Sequence, residues 1–154
     1  MKLVIRAPIA AEIDDVVALL GHQLDEHGLQ VAELGGAVRK VFGDESLGRL
    51  LVAARGSELV GVAYLSFTFT LEYGGKTAWL EELYVSPPER ERGVGTALLA
   101  AVVSTAEAAG CHAIDLEVDA AHARAANLYA RNGFQAVRRR RMNRRLQLQA
   151  TRVG

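Results

Sequence analysis

One cysteine, Cys111, stands in 154 residues, so neither an internal disulfide nor a multi-cysteine zinc site is available. No stretch approaches the roughly 20 consecutive apolar residues that a membrane helix requires. The start, Met1-Lys2-Leu3-Val4-Ile5-Arg6, meets charge too soon to read as a secretory signal. His22 and His27 are five residues apart, not the four that set two ligands on one helical face, so no metal is expected. These absences point to a cytoplasmic enzyme or binding domain. At 50% hydrophobic and 23% charged, the chain excludes disorder and suits one domain over residues 1–154.

Acid is missing from the end of the chain. Residues 120–154 carry nine arginines and no carboxylate side chain, whereas residues 1–119 carry 9 basic and 18 acidic groups. Such a split fits a basic arm for nucleic acid, or a terminal strand pair that shows its arginines to solvent or to acidic faces of its own fold. Phe134, Val137, Met142, Leu146 and Leu148 are interleaved with the arginines, which favours the strand pair over a nucleic-acid arm.

The pattern alternates between strands and helices. Leu3–Ala7 reads as a strand stopped by Pro8, and Ile13, Val16, Val17, Leu20 and Leu24 recur at helical spacing up to Gly28. A shorter helix is predicted over Ala32–Phe42, then strands over Leu50–Arg55 and Leu59–Glu72. Tyr73-Gly74-Gly75-Lys76 turns the chain into a strand over Thr77–Val85, which Pro87-Pro88 stops. A helix carrying Leu98, Leu99, Val102, Val103 and Ala106 on one face follows, closed by Gly110. His112–Val118 reads as a strand, Arg124–Arg131 as a short helix, and Phe134–Arg139 and Met142–Leu148 as two last strands. The order predicts an α/β fold with a mixed sheet of about seven strands, flanked by about four helices.

The densest signal is Val85-Ser86-Pro87-Pro88-Glu89-Arg90-Glu91-Arg92-Gly93-Val94-Gly95-Thr96, between a strand and a long helix. Unpaired N–H groups at a helix N-terminus suit a pyrophosphate, and glycines let the backbone approach it. No Gly-Lys-Ser/Thr follows, so this is not a Walker loop. Leu98 stands where the third glycine of a dinucleotide fingerprint belongs. Arg90-x-x-Gly93-x-Gly95 resembles the Arg/Gln-x-x-Gly-x-Gly/Ala signature of the GNAT superfamily of N-acetyltransferases. Asn127-Leu128-Tyr129-Ala130-Arg131-Asn132-Gly133-Phe134 resembles that family's second block, (A/N)-L-Y-x-x-x-G-F, at the usual distance downstream. The resemblance runs from about Trp79 to Val137.

The resemblance implies acetyl-coenzyme A as cosubstrate and an amine as acceptor. The amides of Glu91, Arg92, Gly93, Val94, Gly95 and Thr96 would carry the pyrophosphate, with Arg90 and Arg92 adding charge. Leu83, Tyr84 and Val85 would pair with the pantetheine arm like an added strand. Asn127 belongs to the matched block, and His122 stands where many relatives contact the pantetheine through an asparagine. Tyr129 matches the family's general acid for the leaving thiolate, a role that suits a phenol protonated at neutral pH. The family often dimerises, so a homodimer is included among the expectations.

Three carboxylates compete for the role of general base, with Glu81 ranked first and Glu82 and Glu117 close behind. Glu81 matches the first carboxylate position of polyamine-type relatives. Glu82 follows it on the same strand, and only a bulge would bring both to one face. Glu117 lies twelve residues before Tyr129, the base position of enzymes that acetylate protein N-termini. With Asp115 and Asp119, these carboxylates would attract a cation, which favours a cationic small amine as acceptor over an acidic one. A protein N-terminus is the alternative acceptor, and an acyl-coenzyme A sensor without catalysis is the alternative function.

Overall fold

A computed structural model describes residues 1–147. The elements run β1 (Leu3–Arg6), α1 (Ile13–Glu26), α2 (Leu34–Gly43), β2 (Gly48–Arg55), β3 (Glu58–Thr70), β4 (Gly75–Val85), α3 (Val94–Ala108), β5 (Ile114–Leu116) and α4 (Ala123–Arg131). Single 3-10 turns at Ala10–Glu12 and Pro87–Glu89 precede α1 and α3. The strands lie in sequence order in one sheet, antiparallel throughout except for β4 and β5, which are parallel. A parallel pair needs a crossover, and α3 supplies it. Among the described residues no helix is long and apolar enough to cross a membrane.

Alternation along the strands loads both faces of the sheet. Leu51, Ala53, Ala63, Leu65, Ala78 and Leu80 pack against Leu98, Leu99, Val102 and Ala106 of α3. Leu50, Val52, Val62 and Tyr84 pack on the opposite face against Ile13, Val16, Leu19 and Leu20 of α1 and Val38 of α2. The 3-10 turn before α1 is fastened by Glu12, which accepts two hydrogen bonds from Arg6 at 2.8 and 2.7 Å and one from the Ile9 amide. Buried Thr77 shares a 2.6 Å hydrogen bond with Thr70 across the β3–β4 pair.

Among the described residues the sheet has five strands rather than about seven. Neither Phe134–Arg139 nor the described part of Met142–Leu148 forms a strand, and Leu148 lies outside the described residues. Arginine occupies six of the eight positions 138–145, and like charges set opposite one another in a ladder are destabilising. The arginines go to carboxylates instead: Arg139 forks onto Glu72 at 2.7 and 2.9 Å, and Arg141 meets Glu117 at 2.8 Å. Met142 and Leu146 stay 90% and 78% exposed, so the apolar interleaving does not mark a packed strand.

Two substitutions test that contrast. Leu98→Ala, in the fully buried face of α3, should cost about 2–5 kcal/mol in urea unfolding. Leu146→Ala should stay within about 0.5 kcal/mol of the parent protein. A loss at Leu146 matching that at Leu98 would mean that the segment packs as a strand after all.

Candidate active site

A cleft forms where β4 and β5 part. Only Ala78, Trp79 and Leu80 of β4 pair with Ile114, Asp115 and Leu116 of β5. Beyond Leu80, β4 runs on to Val85 with β3 on one side and, among the described residues, no strand on the other. A cleft of about 1280 Å³ opens there, walled by β4, the start of α3, the end of α1, the residues after β5, and α4.

A bulge sets which side chains face it. The β3–β4 register pairs Tyr64 with Glu82 but Leu65 with Leu80, so Glu81 is the extra residue. The core contacts show the resulting phase change. Ala78 and Leu80 face α3 before the bulge, and Leu83 and Val85 face it after. Trp79 and Glu81 therefore share a face with Glu82 and Tyr84, because one added residue inverts the alternation. The bulge that the sequence left open is present, and both carboxylates line the cleft.

Their environments differ. Glu81 is exposed and accepts a 2.8 Å hydrogen bond from Ser66 Oγ. Glu82 is largely buried, and burial, helped by the neighbouring charge of Glu81, lifts its carboxyl from 4.5 to about 7. Glu117 also lines the cleft, but its carboxylate is held by Arg141. Tyr129 lines the same cleft from α4, its ring edge-on to Phe134 at 5.8 Å between centroids. Burial raises its phenol above the usual value, so it stays protonated at neutral pH.

The opposite end of the cleft is backbone. Gly93 caps α3 at φ 82°, a left-handed conformation that strains a residue with a Cβ, and no side chain caps the first amides of the helix. Glu91 adopts φ 63° in the same loop. A Cβ at Gly95 would meet Leu128 Cδ2 at 3.4 Å, ordinary contact, so packing within the chain does not require glycine there. The space suits a ligand that approaches the helix end closely.

The basic residues of this loop are already engaged. Arg90 donates to the Val85 carbonyl at 2.9 Å and to both Glu26 oxygens at 2.7 and 3.0 Å, over the Tyr84 ring. It thereby ties the loop to α1. Arg92 donates to Glu89, which Arg55 also holds at 2.8 Å, and its side chain does not line the cleft. Neither does Asn127, which is exposed on α4, nor Val94, which is buried in the core. Leu83, Tyr84, Val85, Glu91, Gly93, Gly95, Thr96 and His122 do line it.

Sequence reasoning missed one wall. Gln23, Leu24, Glu26 and His27 at the end of α1 reach the cleft, and the His27 ring lies 5.5 Å from that of His122. The Oε1 atom of Gln23 is buried there without a donor. The apolar period of α1 runs only to Leu24, so Gln23 beside it and Glu26 and His27 beyond it read as a solvated helix end. Trp79, Arg124 and Arg141 were missed as well. Among the described residues no three His, Cys, Asp or Glu side chains gather as a metal cluster.

The raised carboxyl of Glu82 makes stability depend on pH. A carboxyl whose folded pKa lies above its unfolded value contributes stability fully below about pH 4.5, and that contribution is lost as pH rises through about 7. Glu82→Gln never ionises, so it should gain on the parent protein between about pH 5 and about pH 8, by on the order of 2 kcal/mol after allowing for partial exposure. Urea unfolding at the two pH values measures it. An unchanged difference would mean that Glu82 titrates as an ordinary surface carboxylate.

Comparison with known proteins agrees with this geometry. Residues 12–134 match the acetyltransferase (GNAT) family. A thialysine N-epsilon-acetyltransferase of Mus musculus is 31% identical over 102 residues, 61% of this chain and 59% of that enzyme's length. An uncharacterized N-acetyltransferase of Bacillus subtilis, YhfO, is 28% identical over 123 residues, 77% of this chain and 81% of the other. Among solved structures, an integron cassette protein from a salt-marsh metagenome superposes with TM-score 0.83 at 26% identity, covering 94% of this chain and 91% of that one. A predicted acetyltransferase from Clostridium acetobutylicum, solved with acetyl-CoA, has the same fold at TM-score 0.75 and 18% identity, covering 92% of this chain and 96% of that one. The match over residues 12–134, on a sheet whose β4 and β5 part beside the glycine-capped start of α3, places this chain in the GNAT family of acetyltransferases.

Proposed function

We propose that this protein transfers an acetyl group from acetyl-coenzyme A to a primary amine of a cationic small molecule in the cytoplasm. The observation that carries the reading is the continuity of two sets of backbone groups along one cleft: the unpartnered edge of β4 and the first amides of α3. The α3 amides suit the pyrophosphate, with electropositive helix-end character and no Cβ at Gly93 or Gly95. The β4 edge around Leu83–Val85 suits the amide-bearing pantetheine arm, by the logic of strand addition. Glu91, Arg92, Val94 and Thr96 would contribute through the backbone, His122 would border the pantetheine, and Arg90 would brace the loop through Glu26. Asn127 would support α4 rather than touch the cosubstrate.

Bound acetyl-coenzyme A supplies an activated carbonyl and a thiolate leaving group. The chain must then take a proton from the acceptor ammonium and give one to the sulfur. Glu82 suits the first task better than Glu81 or Glu117. Its carboxyl is poised near neutrality, whereas Glu81 is solvated and Glu117 is paired. Glu81 keeps a negative charge beside it, which attracts the acceptor and raises the basicity of Glu82. Tyr129, held protonated by burial, suits the second task. A backbone N–H near Val85 would polarise the carbonyl.

The charge inventory supports a cationic acceptor. Arg90, Arg124 and Arg141 neutralise Glu26, Glu91 and Glu117 across the cleft. Glu81 and Glu82 have no basic partner among the described residues, so the β4 wall carries uncompensated negative potential. The mouse relative is named for acetylating an amine of thialysine, an acceptor of this kind. Engagement of Glu117 by Arg141 weighs against the protein N-terminus alternative, which relied on Glu117 as base.

Thiol release from acetyl-coenzyme A, measured with a panel of polyamines, lysine-like amino acids, aminoglycosides, acidic amino acids and peptides, tests the reading. Turnover with a cationic amine should fall about 100-fold or more in Tyr129→Phe and in Glu82→Gln. Binding of acetyl-coenzyme A without turnover on any amine would make the protein a sensor. Preference for an acidic amine would overturn the acceptor assignment.

A further inference from the structure

The C-terminal arginines do more than pair with stray acids. Arg139, forked onto Glu72 in the β3–β4 turn, fastens the segment that follows α4 to the outer end of β4. Two residues on, the Arg141 guanidinium lies 5.1 Å from the Trp79 ring centroid and 2.8 Å from Glu117 Oε2. Trp79 lines the cleft from β4 and Glu117 lines it from the first position beyond β5, together with Glu81 and Glu82. An aromatic face beside a carboxylate is a cation-binding arrangement, and here a cation already sits in it. That cation comes from an exposed segment held by surface ion pairs, which are individually weak and readily exchanged.

We infer that Trp79 and Glu117 form a docking subsite for a second cationic group of the acceptor, and that Arg141 occupies this subsite until the acceptor displaces it. The acceptor is then at least dicationic. One ammonium or guanidinium docks over Trp79 against Glu117, and the amine that reacts lies toward Glu81 and Glu82. Arg141 acts as an internal competitor that closes the subsite to weak or singly charged amines, so selectivity arises because a ligand must outbid a tethered guanidinium. A monoamine would leave Arg141 in place. Only the naming of the ligand as acceptor rests on the amine-transfer reading; docking of the cation does not require it.

Trp79 is the single tryptophan of the chain, so its emission reports on this subsite alone. Agmatine, which carries a guanidinium and an amine, serves as the probe, titrated without acetyl-coenzyme A into the full-length protein. Arg141→Gln should bind agmatine at least about five-fold more tightly than the parent, because the competitor is gone. Arg141→Lys, which keeps a cation on the same stem, should bind more weakly than Arg141→Gln. Adding Glu117→Gln to Arg141→Gln should abolish the gain. Equal affinities in the parent and Arg141→Gln, or a gain that survives Glu117→Gln, would overturn the inference. Far-UV circular dichroism verifies that each variant is folded. The titration involves no turnover, so failure of acetyl transfer and failure of the subsite are read separately.

Discussion

One extra residue in β4 governs the site. In a regular ladder Glu81 and Glu82 would point to opposite faces, one carboxylate buried against α3 and the other toward α1. The register shift between Tyr64 and Leu65 makes Glu81 a bulge, so apolar side chains face α3 on both sides of it while both carboxylates face the cleft. A bulge also sharpens local twist, and it lies where pairing with β5 ends. The same local irregularity thus accounts for two things: why β4 has a free edge, and why that edge is bordered by acid.

The cleft keeps its two ends electrically distinct. At the α3 end, the first helix amides have no helical partner, and the nearby carboxylates of Glu89 and Glu91 are taken up by Arg55, Arg92 and Arg124. At the β4–β5 end, the carboxylates outnumber their partners. An anionic cosubstrate and a cationic acceptor would enter the same cleft from opposite poles. Burial then tunes the reacting groups, lifting both the carboxyl of Glu82 and the phenol of Tyr129 toward their protonated forms.

Much of this was legible in the chain itself. The apolar periods of α1 and α3, the stop at Pro87-Pro88, the glycine-bearing loop before α3 and the Tyr129-to-Phe134 block are local signals, and each falls where the sequence places it. The bulge was not legible, because Glu-Glu in a strand looks the same with or without it; only the phase of Leu80 against Leu83 records it. The terminal strands were misread because alternating apolar residues imply a ladder, while the repulsion among Arg138–Arg141, Arg144 and Arg145 is a property of the paired state. Arg141 and Trp79 are far apart in sequence, so their meeting over Glu117 follows from tertiary placement alone.

The central claim is that the free edge of β4 and the start of α3 together receive acetyl-coenzyme A. Residue-resolved amide hydrogen exchange, with and without saturating acetyl-coenzyme A, tests it most directly. The account predicts slowed exchange at amides within Leu83–Val85 and Gly93–Thr96, with the β1–β2 edge unchanged. Unaltered exchange at both segments, or protection confined to another surface, would contradict it.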